Sequence, residues 1–315
     1  MNVLIRDYDE ADSAALKRLV AAVWPDDEVM QEHAHFGHQQ KTPTSAKTLV
    51  AVLDARPVGF ASSYQNPLHY HPLDFRVSVV VDPNYRRRGL GSALYEELLK
   101  SLPLLLPKRL RCLTLEDSIA ANGFLAARGY GVLLTSYTPA LPVAAVSLAE
   151  MVSCQEMLEL AGYSFCTLAE LHGDPNRNER LAALCLEAYA DTHTHSPPTA
   201  SLRDWQDIFL GEHCIEEAFF VACSGGRYAA FSSLRRGETS TAMEAMWDGV
   251  SRSDRALEVP LRLALKAQEV RYARAHGVHK LHWEVDSTDI AGMELLKRLP
   301  FERGVGCLMW VKVEH

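Results

Sequence analysis

Apolar positions along this chain switch repeatedly between a spacing of two and a spacing of three to four, as alternating strands and helices require. Residues 3–6 predict a short strand. Residues 9–23 predict a helix with Ala15, Leu16, Leu19, Val20 and Val23 on one face, stopped by Pro25. Residues 48–53 and 58–61 flank the turn Asp54-Ala55-Arg56-Pro57 and predict a hairpin. A strand at 75–81, a loop rich in Gly and Arg at 85–91 and a helix at 92–102 burying Leu94, Leu98 and Leu99 come next. A strand at 110–115, a helix at 119–128 ended by Gly129, and a strand at 132–137 complete a mixed first half.

A helix at 149–161 follows, and then the order returns. Strand 164–168, helix 178–190, strands 219–222, 228–233 and 241–247, helix 261–276, strand 280–285 and helix 290–299 repeat the first half. Two local echoes accompany this: Val58-Gly59-Phe60-Ala61 against Tyr228-Ala229-Ala230-Phe231, and Phe124 to Tyr130 against Leu295 to Phe301. A period of half the chain means duplicated domains, since a solenoid repeats every 20 to 50 residues or so. The length of 315 residues agrees, at roughly 150 per domain. The expected organisation is a domain over 1–148, a connector helix over 149–161 and a second domain over 162–315.

The chemistry concentrates in Val79-Val80-Val81-Asp82-Pro83-Asn84-Tyr85-Arg86-Arg87-Arg88-Gly89-Leu90-Gly91-Ser92, a strand feeding a loop that opens a helix. A helix start exposes unpaired amides and a positive dipole end, which together attract phosphate. Gly89 and Gly91 let backbone approach a ligand closely, and Arg86, Arg87 and Arg88 add charge and donors. A P-loop needs Gly-Lys-Ser/Thr at its end, and the dinucleotide fingerprint needs a third glycine where Leu94 stands, so neither fits.

Arg86-Arg87-Arg88-Gly89-Leu90-Gly91, after Val-Asp-Pro, resembles the acyl-CoA loop Arg/Gln-x-x-Gly-x-Gly/Ala of the GCN5-related N-acetyltransferase (GNAT) family. Phe124-Leu125-Ala126-Ala127-Arg128-Gly129-Tyr130 is similar to that family's later Phe-Tyr-x-x-x-Gly-Phe helix. The likeness covers most of 1–148 and extends to tandem members such as mycothiol synthase-like proteins. It implies an α/β fold of two tandem acyl-CoA N-acyltransferase domains, each a mixed, mostly antiparallel sheet with helices on both faces. It also implies acetyl-CoA as acyl donor, no metal, and direct attack by a primary amine in a ternary complex. By resemblance, Val79 and Val81 pair their main chain with pantetheine, an amide near Val80 stabilises the oxyanion, and the amides from Arg87 to Ser92 hold the pyrophosphate. Ser118, Phe124 and Arg128 would border the cofactor.

The second half keeps the scaffold but not the loop. Aligned on Arg255, Glu258 and Pro260 take the two glycine positions; Glu258 repels phosphate and Pro260 has no amide to donate. The first domain is therefore the expected catalytic half, with the second as scaffold or specificity wall.

A general base must remove the ammonium proton. Asp74, Glu116 and Asp117 are candidates, as are His33, His35, His69 and His71. Leu125 stands at the family's general-acid tyrosine, leaving Tyr130 and Tyr85 as substitutes, and Ser118 stands at its asparagine. These departures keep a second class open, a non-catalytic acyl-CoA-binding sensor or partner-docking protein. Cys112, between apolar neighbours, reads as a buried inert thiol.

Composition narrows the setting. Thirty-two basic against forty acidic residues give a net charge of −8, which argues against a broad surface for nucleic acid or anionic membrane. Seven cysteines without CxxC suggest neither a disulfide framework nor zinc and fit a reducing cytoplasm. Three His-x-His pairs, at His33, His69 and His193, lack carboxylate or cysteine partners, so no metal is expected. The first residues lack the pattern of a signal peptide, and residues 133–146, interrupted by Pro139 and Pro142, fall short of the ~20 that a membrane helix needs. The acceptor, a small-molecule amine or a peptide or protein amine, is not written in the residues.

Overall fold

A computed structural model describes residues 3–25, 30–31, 34, 46–103, 108–237 and 239–314, and the chain divides into two compact units. The first unit is Met1–Leu133 with Cys307–His315, and the second is Leu134–Gly306.

In the first unit, β1 (Leu4–Asp7), β2 (Lys47–Leu53), β3 (Arg56–Tyr64), β4 (Asp74–Val81) and β5 (Lys108–Leu115) stand side by side in chain order. The carboxy-terminal strand, β14 in chain order (Cys307–Glu314), runs antiparallel to β5 along its whole length. Only the β4–β5 pair among these is parallel. Asp54 and Ala55, with φ of 48° and 62°, make the left-handed turn between β2 and β3 that matches the twist of a hairpin. Helix α1 (Ser13–Val23) covers one face, where Leu16, Leu19 and Val20 meet Val50, Phe60 and Val80. Helices α2 (Leu90–Ser101) and α3 (Ile119–Ala126) supply Leu90, Leu94, Leu98 and Leu125 to a core with Leu49, Ala51, Phe75 and Leu110.

In the second unit, β6 (Gly131–Tyr137) contributes Tyr137 to a short antiparallel pair with β13 (Val285–Asp286). Its main sheet runs β7 (Ala140–Pro142), β12 (Lys280–Trp283), β11 (Ala242–Val250), β10 (Arg227–Arg236), β9 (Phe219–Ser224) and β8 (Tyr163–Thr167). Here β11 and β12 are the parallel pair. The helices are α4 (Ala149–Leu160), α5 (Arg177–Thr192), α6 (Leu202–Leu210), α7 (Glu258–Ala275) and α8 (Ile290–Arg298). Pro260 sits in the first turn of α7, where its missing amide costs no helical hydrogen bond.

Three expectations change. The boundary falls after Leu133 rather than at 148, and the last strand belongs to the first unit, because β5 gains its second neighbour from Cys307–Glu314. Residues 149–161 are not a connector: Met151 and Leu158 of α4 are fully buried in one core with Leu261 and Leu265 of α7. The echo at 58–61 is displaced by one residue. Asp82 N–H donates to Val58 C=O at 3.0 Å and Ser251 N–H to Ala229 C=O at 2.8 Å, so Phe60 matches Phe231. A slip of one would turn both rings to the wrong face of their sheets. His33 and His35 lie outside the described residues. Among the described residues, no helix is long and apolar enough to cross a membrane.

Candidate active site

The parallel pair β4–β5 holds together at only one end. Its register runs Asp74↔Arg109, Phe75↔Leu110, Arg76↔Arg111 and stops there, while β4 continues against β3 to Val81 and β5 against β14 to Leu115. Beyond Arg76 the two strands part, and a wedge opens between them. Alternate residues of an antiparallel ladder point their N–H and C=O to the same side. Because Asp82 N–H donates to Val58, the even residue Val80 is committed to β3, and the odd residues Val79 and Val81 turn their backbone toward the wedge. The Val80 N–H, near which an oxyanion donor is expected, is thereby turned to β3, and the amides facing the wedge are those of Val79 and Val81. The Val81 carbonyl is already taken by Arg86 Nε at 3.1 Å.

The loop leaving β4 gathers donors and positive charge at a helix start. Asp82 accepts from Asn84 N–H at 2.8 Å and starts a 3-10 turn over Pro83–Tyr85. Arg87 and Gly89 then adopt φ of 61° and 82°, a left-handed backbone that an arginine reaches only at a cost. Gly89 is the N-cap of α2 and brings no side chain to cap it, so the first-turn amides of Leu90, Gly91 and Ser92 face outward. Arg86, Arg87, Arg88 and Gly89 are exposed, and the Arg88 guanidinium lies 5.5 Å from the Tyr85 ring centroid. A Cβ on Gly91 would sit 3.6 Å from the Phe124 ring, 3.8 Å from Val81 and 3.9 Å from Val79. The glycine thus keeps a narrow floor between strand, helix start and aromatic ring.

Arg128 joins the two helices at this point. It donates to Ser92 Oγ at 2.7 Å and to the Phe124 carbonyl at 3.0 Å, with its guanidinium 3.5 Å from the Phe124 ring centroid. Ser118 is the half-buried N-cap of α3 and its hydroxyl makes no capping bond.

The structure treats the four catalytic candidates differently. Asp74 sits at the closed end of the wedge, where Arg111 reaches both its oxygens at 2.9 to 3.1 Å and Arg109 adds a contact at 3.3 Å. Bound this way to a buried arginine, it is a strut and not a free base. Tyr130 is buried in the core, its hydroxyl 3.1 Å from that of Tyr95, and burial pushes it well above the usual tyrosine range. Its hydroxyl is thus turned into the core toward Tyr95 and shielded from solvent. Burial likewise lifts Cys112 to about 12, an unreactive thiol. Glu116 and Asp117 remain exposed at the open end of β5.

One residue was missed. Asn122 accepts from Thr114 Oγ1 at 2.6 Å and donates to the Leu115 and Glu116 carbonyls at 3.2 and 3.0 Å. Thr114 in turn accepts from the Trp310 indole of β14 at 2.7 Å. This chain of bonds fixes the end of β5 that flanks the wedge. The signal available was a lone amide in the otherwise apolar stretch Ile119–Ala126.

Residues 14–130 match the model of the acetyltransferase (GNAT) family. "Uncharacterized N-acetyltransferase YafP" of Escherichia coli (strain K12) is 30% identical over 142 residues, covering 41% of this chain and 81% of that protein. This chain belongs to the GNAT family. A GCN5-related N-acetyltransferase from Sphaerobacter thermophilus shares the fold over 99% of this chain and 95% of its own, at TM-score 0.66 and 19% identity. A tandem GNAT protein from the clavulanic acid biosynthesis pathway does so over 99% and 98%, at TM-score 0.63 and 17% identity. The two-unit chain therefore shares the fold of a tandem GNAT protein.

Within that fold the second unit has a different interior. Its parallel pair runs from Ala242↔Lys280 to Ala245↔Trp283 and then parts as β4 and β5 do. Here the buried Arg262 of α7 donates to Asp289 at 2.7 Å, with Asp248 and Glu258 carboxylates at 3.9 and 3.7 Å. Asp248 faces Ser232 across the ladder, the place that Val79 takes opposite Ala61. The loop is internally satisfied: the buried Asp254 accepts from Tyr163 Oη at 2.6 Å, Ser251 Oγ at 2.5 Å and Arg227 Nη2 at 2.7 Å. A carboxylate stands where the first unit offers open amides, and the N-cap Leu257 has φ of −110° in place of a left-handed glycine.

Proposed function

We propose that this GNAT chain is an acetyl-CoA-dependent N-acetyltransferase that acylates a primary amine by direct attack in a ternary complex, with the chemistry in the first unit. One contrast carries the proposal: the first unit pairs an open wedge with a cationic, uncapped helix start, whereas an arginine–carboxylate network fills the corresponding interior of the second.

In this mechanism the outward backbone of Val79 and Val81 pairs with pantetheine and supplies an amide to the developing oxyanion, usually the largest single contribution in acyl transfer. The amides of Leu90, Gly91 and Ser92, with Arg86, Arg87 and Arg88, hold the diphosphate at the positive end of α2. Glu116 or Asp117 receives the ammonium proton, directly or through water. A thiol of pKa ~8.5 leaves without strong protonation, so no side chain has to replace Leu125 as general acid.

Calorimetric titration with acetyl-CoA tests this on the whole chain. One site per chain is expected, lost in Gly89→Glu, whose side chain meets both a left-handed φ and a phosphate. Two sites would overturn the division of labour between units, and no heat would overturn acyl-CoA binding altogether.

The withdrawal of Tyr130 into the core favours a second reading, in which the cleft holds acyl-CoA without turning it over. Thioester cleavage across an amine panel separates the two.

A further inference from the structure

Two cysteines that the candidate site does not use meet in the second unit. Cys166 lies on β8, the edge strand of its sheet, and Cys223 on the neighbouring β9, with their sulfurs 3.9 Å apart. The register sets Cys166 opposite Val221 and Cys223 opposite Ser164, so the two thiols are diagonal neighbours on one face. Both are half-buried and within reach of a small oxidant, whereas Cys112 and Cys185 are buried.

The surroundings prepare one sulfur as a nucleophile. The Cys166 thiol, whose proton is shared between the Val221 carbonyl at 3.8 Å and Cys223 at 3.9 Å, and the charge of Arg180 together hold Cys223 below the ordinary thiol value against burial and favour its thiolate. Arg180 is kept there by the Gly226 carbonyl at 2.6 Å and by the Tyr228 ring, whose centroid lies 4.3 Å away.

We propose that Cys166 and Cys223 form a reversible oxidation site that closes to a disulfide when the protein meets a peroxide. The Cys223 thiolate attacks one peroxide oxygen, the O–O bond breaks, and the departing hydroxide takes a proton to become water. The sulfur is left as a sulfenic acid. Cys166 attacks that sulfur, the S–S bond forms, and the hydroxyl leaves with the Cys166 proton as a second water. Two thiols are oxidised by two electrons and one peroxide is reduced to two waters. Closure draws the sulfurs from 3.9 Å to ~2.05 Å, which β8 can follow because among the described residues its ladder has a neighbour on one side only. A diagonal bridge between adjacent strands is strained, and strain makes it easy to reduce, as a switch requires and a permanent staple does not.

The test exposes the full chain to hydrogen peroxide, blocks remaining thiols and maps the digest by mass spectrometry. The expected product links the peptides carrying Cys166 and Cys223, two hydrogens lighter, and reverts with dithiothreitol. In Cys166→Ser, Cys223 is expected to persist as a sulfenic acid trapped by dimedone, while in Cys223→Ser position 166 stays a thiol at the same dose. In the linked form, amide exchange over Tyr163–Thr167 slows relative to the reduced chain. The proposal is overturned if both cysteines alkylate as free thiols after treatment, if either pairs with a different cysteine, or if they oxidise separately without a link.

Discussion

The Arg128 guanidinium donates to the hydroxyl of Ser92 across 2.7 Å, tying the end of one helix to the first turn of another. Ser92 lies in the turn whose amides would hold a diphosphate, and the same guanidinium covers the Phe124 ring beneath Gly91. Arg128 thus sets the angle between the helix start and the floor of the wedge. Arg128→Ala removes a charged hydrogen bond of about 1.5 kcal/mol or more, and acetyl-CoA affinity measured by calorimetry should fall roughly tenfold. Unchanged affinity would show that the helix start is held without it.

Gly91 gives a test in which stability and binding move in opposite directions. A methyl there meets its neighbours at 3.6 to 3.9 Å, ordinary contact, so Gly91→Ala should fold and gain up to about 1 kcal/mol of helix stability. The same methyl occupies the floor on which a ligand must lie, so affinity for acetyl-CoA should drop. Gly91→Val, with branches that reach Phe124 and Val79, should lose both. Thermal melts and titrations of the two variants report this directly.

Tyr130→Phe separates a catalytic hydroxyl from a structural one. Its hydroxyl faces Tyr95 in the core, so its removal should cost about 1 kcal/mol in a melt and leave turnover within about twofold. A large loss of kcat would restore Tyr130 as the proton donor.

Asp254 should give the second unit an acid-sensitive loop. Hydrogen bonding from Arg227, then from Ser251 and Tyr163, outweighs burial and lowers its carboxyl from 3.8 to about 2. A depressed value in the folded state stabilises above the unfolded value and is lost as pH falls through the folded one. The contribution, ~2 kcal/mol, is complete above pH 3.8 and disappears toward pH 2. Urea midpoints across that window should slope in the parent and flatten in Asp254→Asn.

Much of this was legible in the residues themselves. Strand 75–81, the arginine and glycine loop and the helix after it appear where their periodicity put them, because each is specified by neighbours within a turn or two. Helix α6 was not foreseen, since Leu202–Leu210 is short and its apolar face is made by Trp205 and Phe209 closing on Tyr189 and Trp247. Asp74 looked like a base because its partners Arg109 and Arg111 lie on another strand and enter only through the parallel register.

By itself the chain determined its alternation of strands and helices, its internal duplication and the one loop suited to a phosphate, all of which are encoded within short spans. Tertiary structure decided where Cys307–Glu314 pairs, that Arg262 would meet three carboxylates inside the second unit, and that Cys166 would touch Cys223. Those outcomes depend on groups far apart along the chain, whose meeting is set by sheet order and core packing, and no local spacing carries that information.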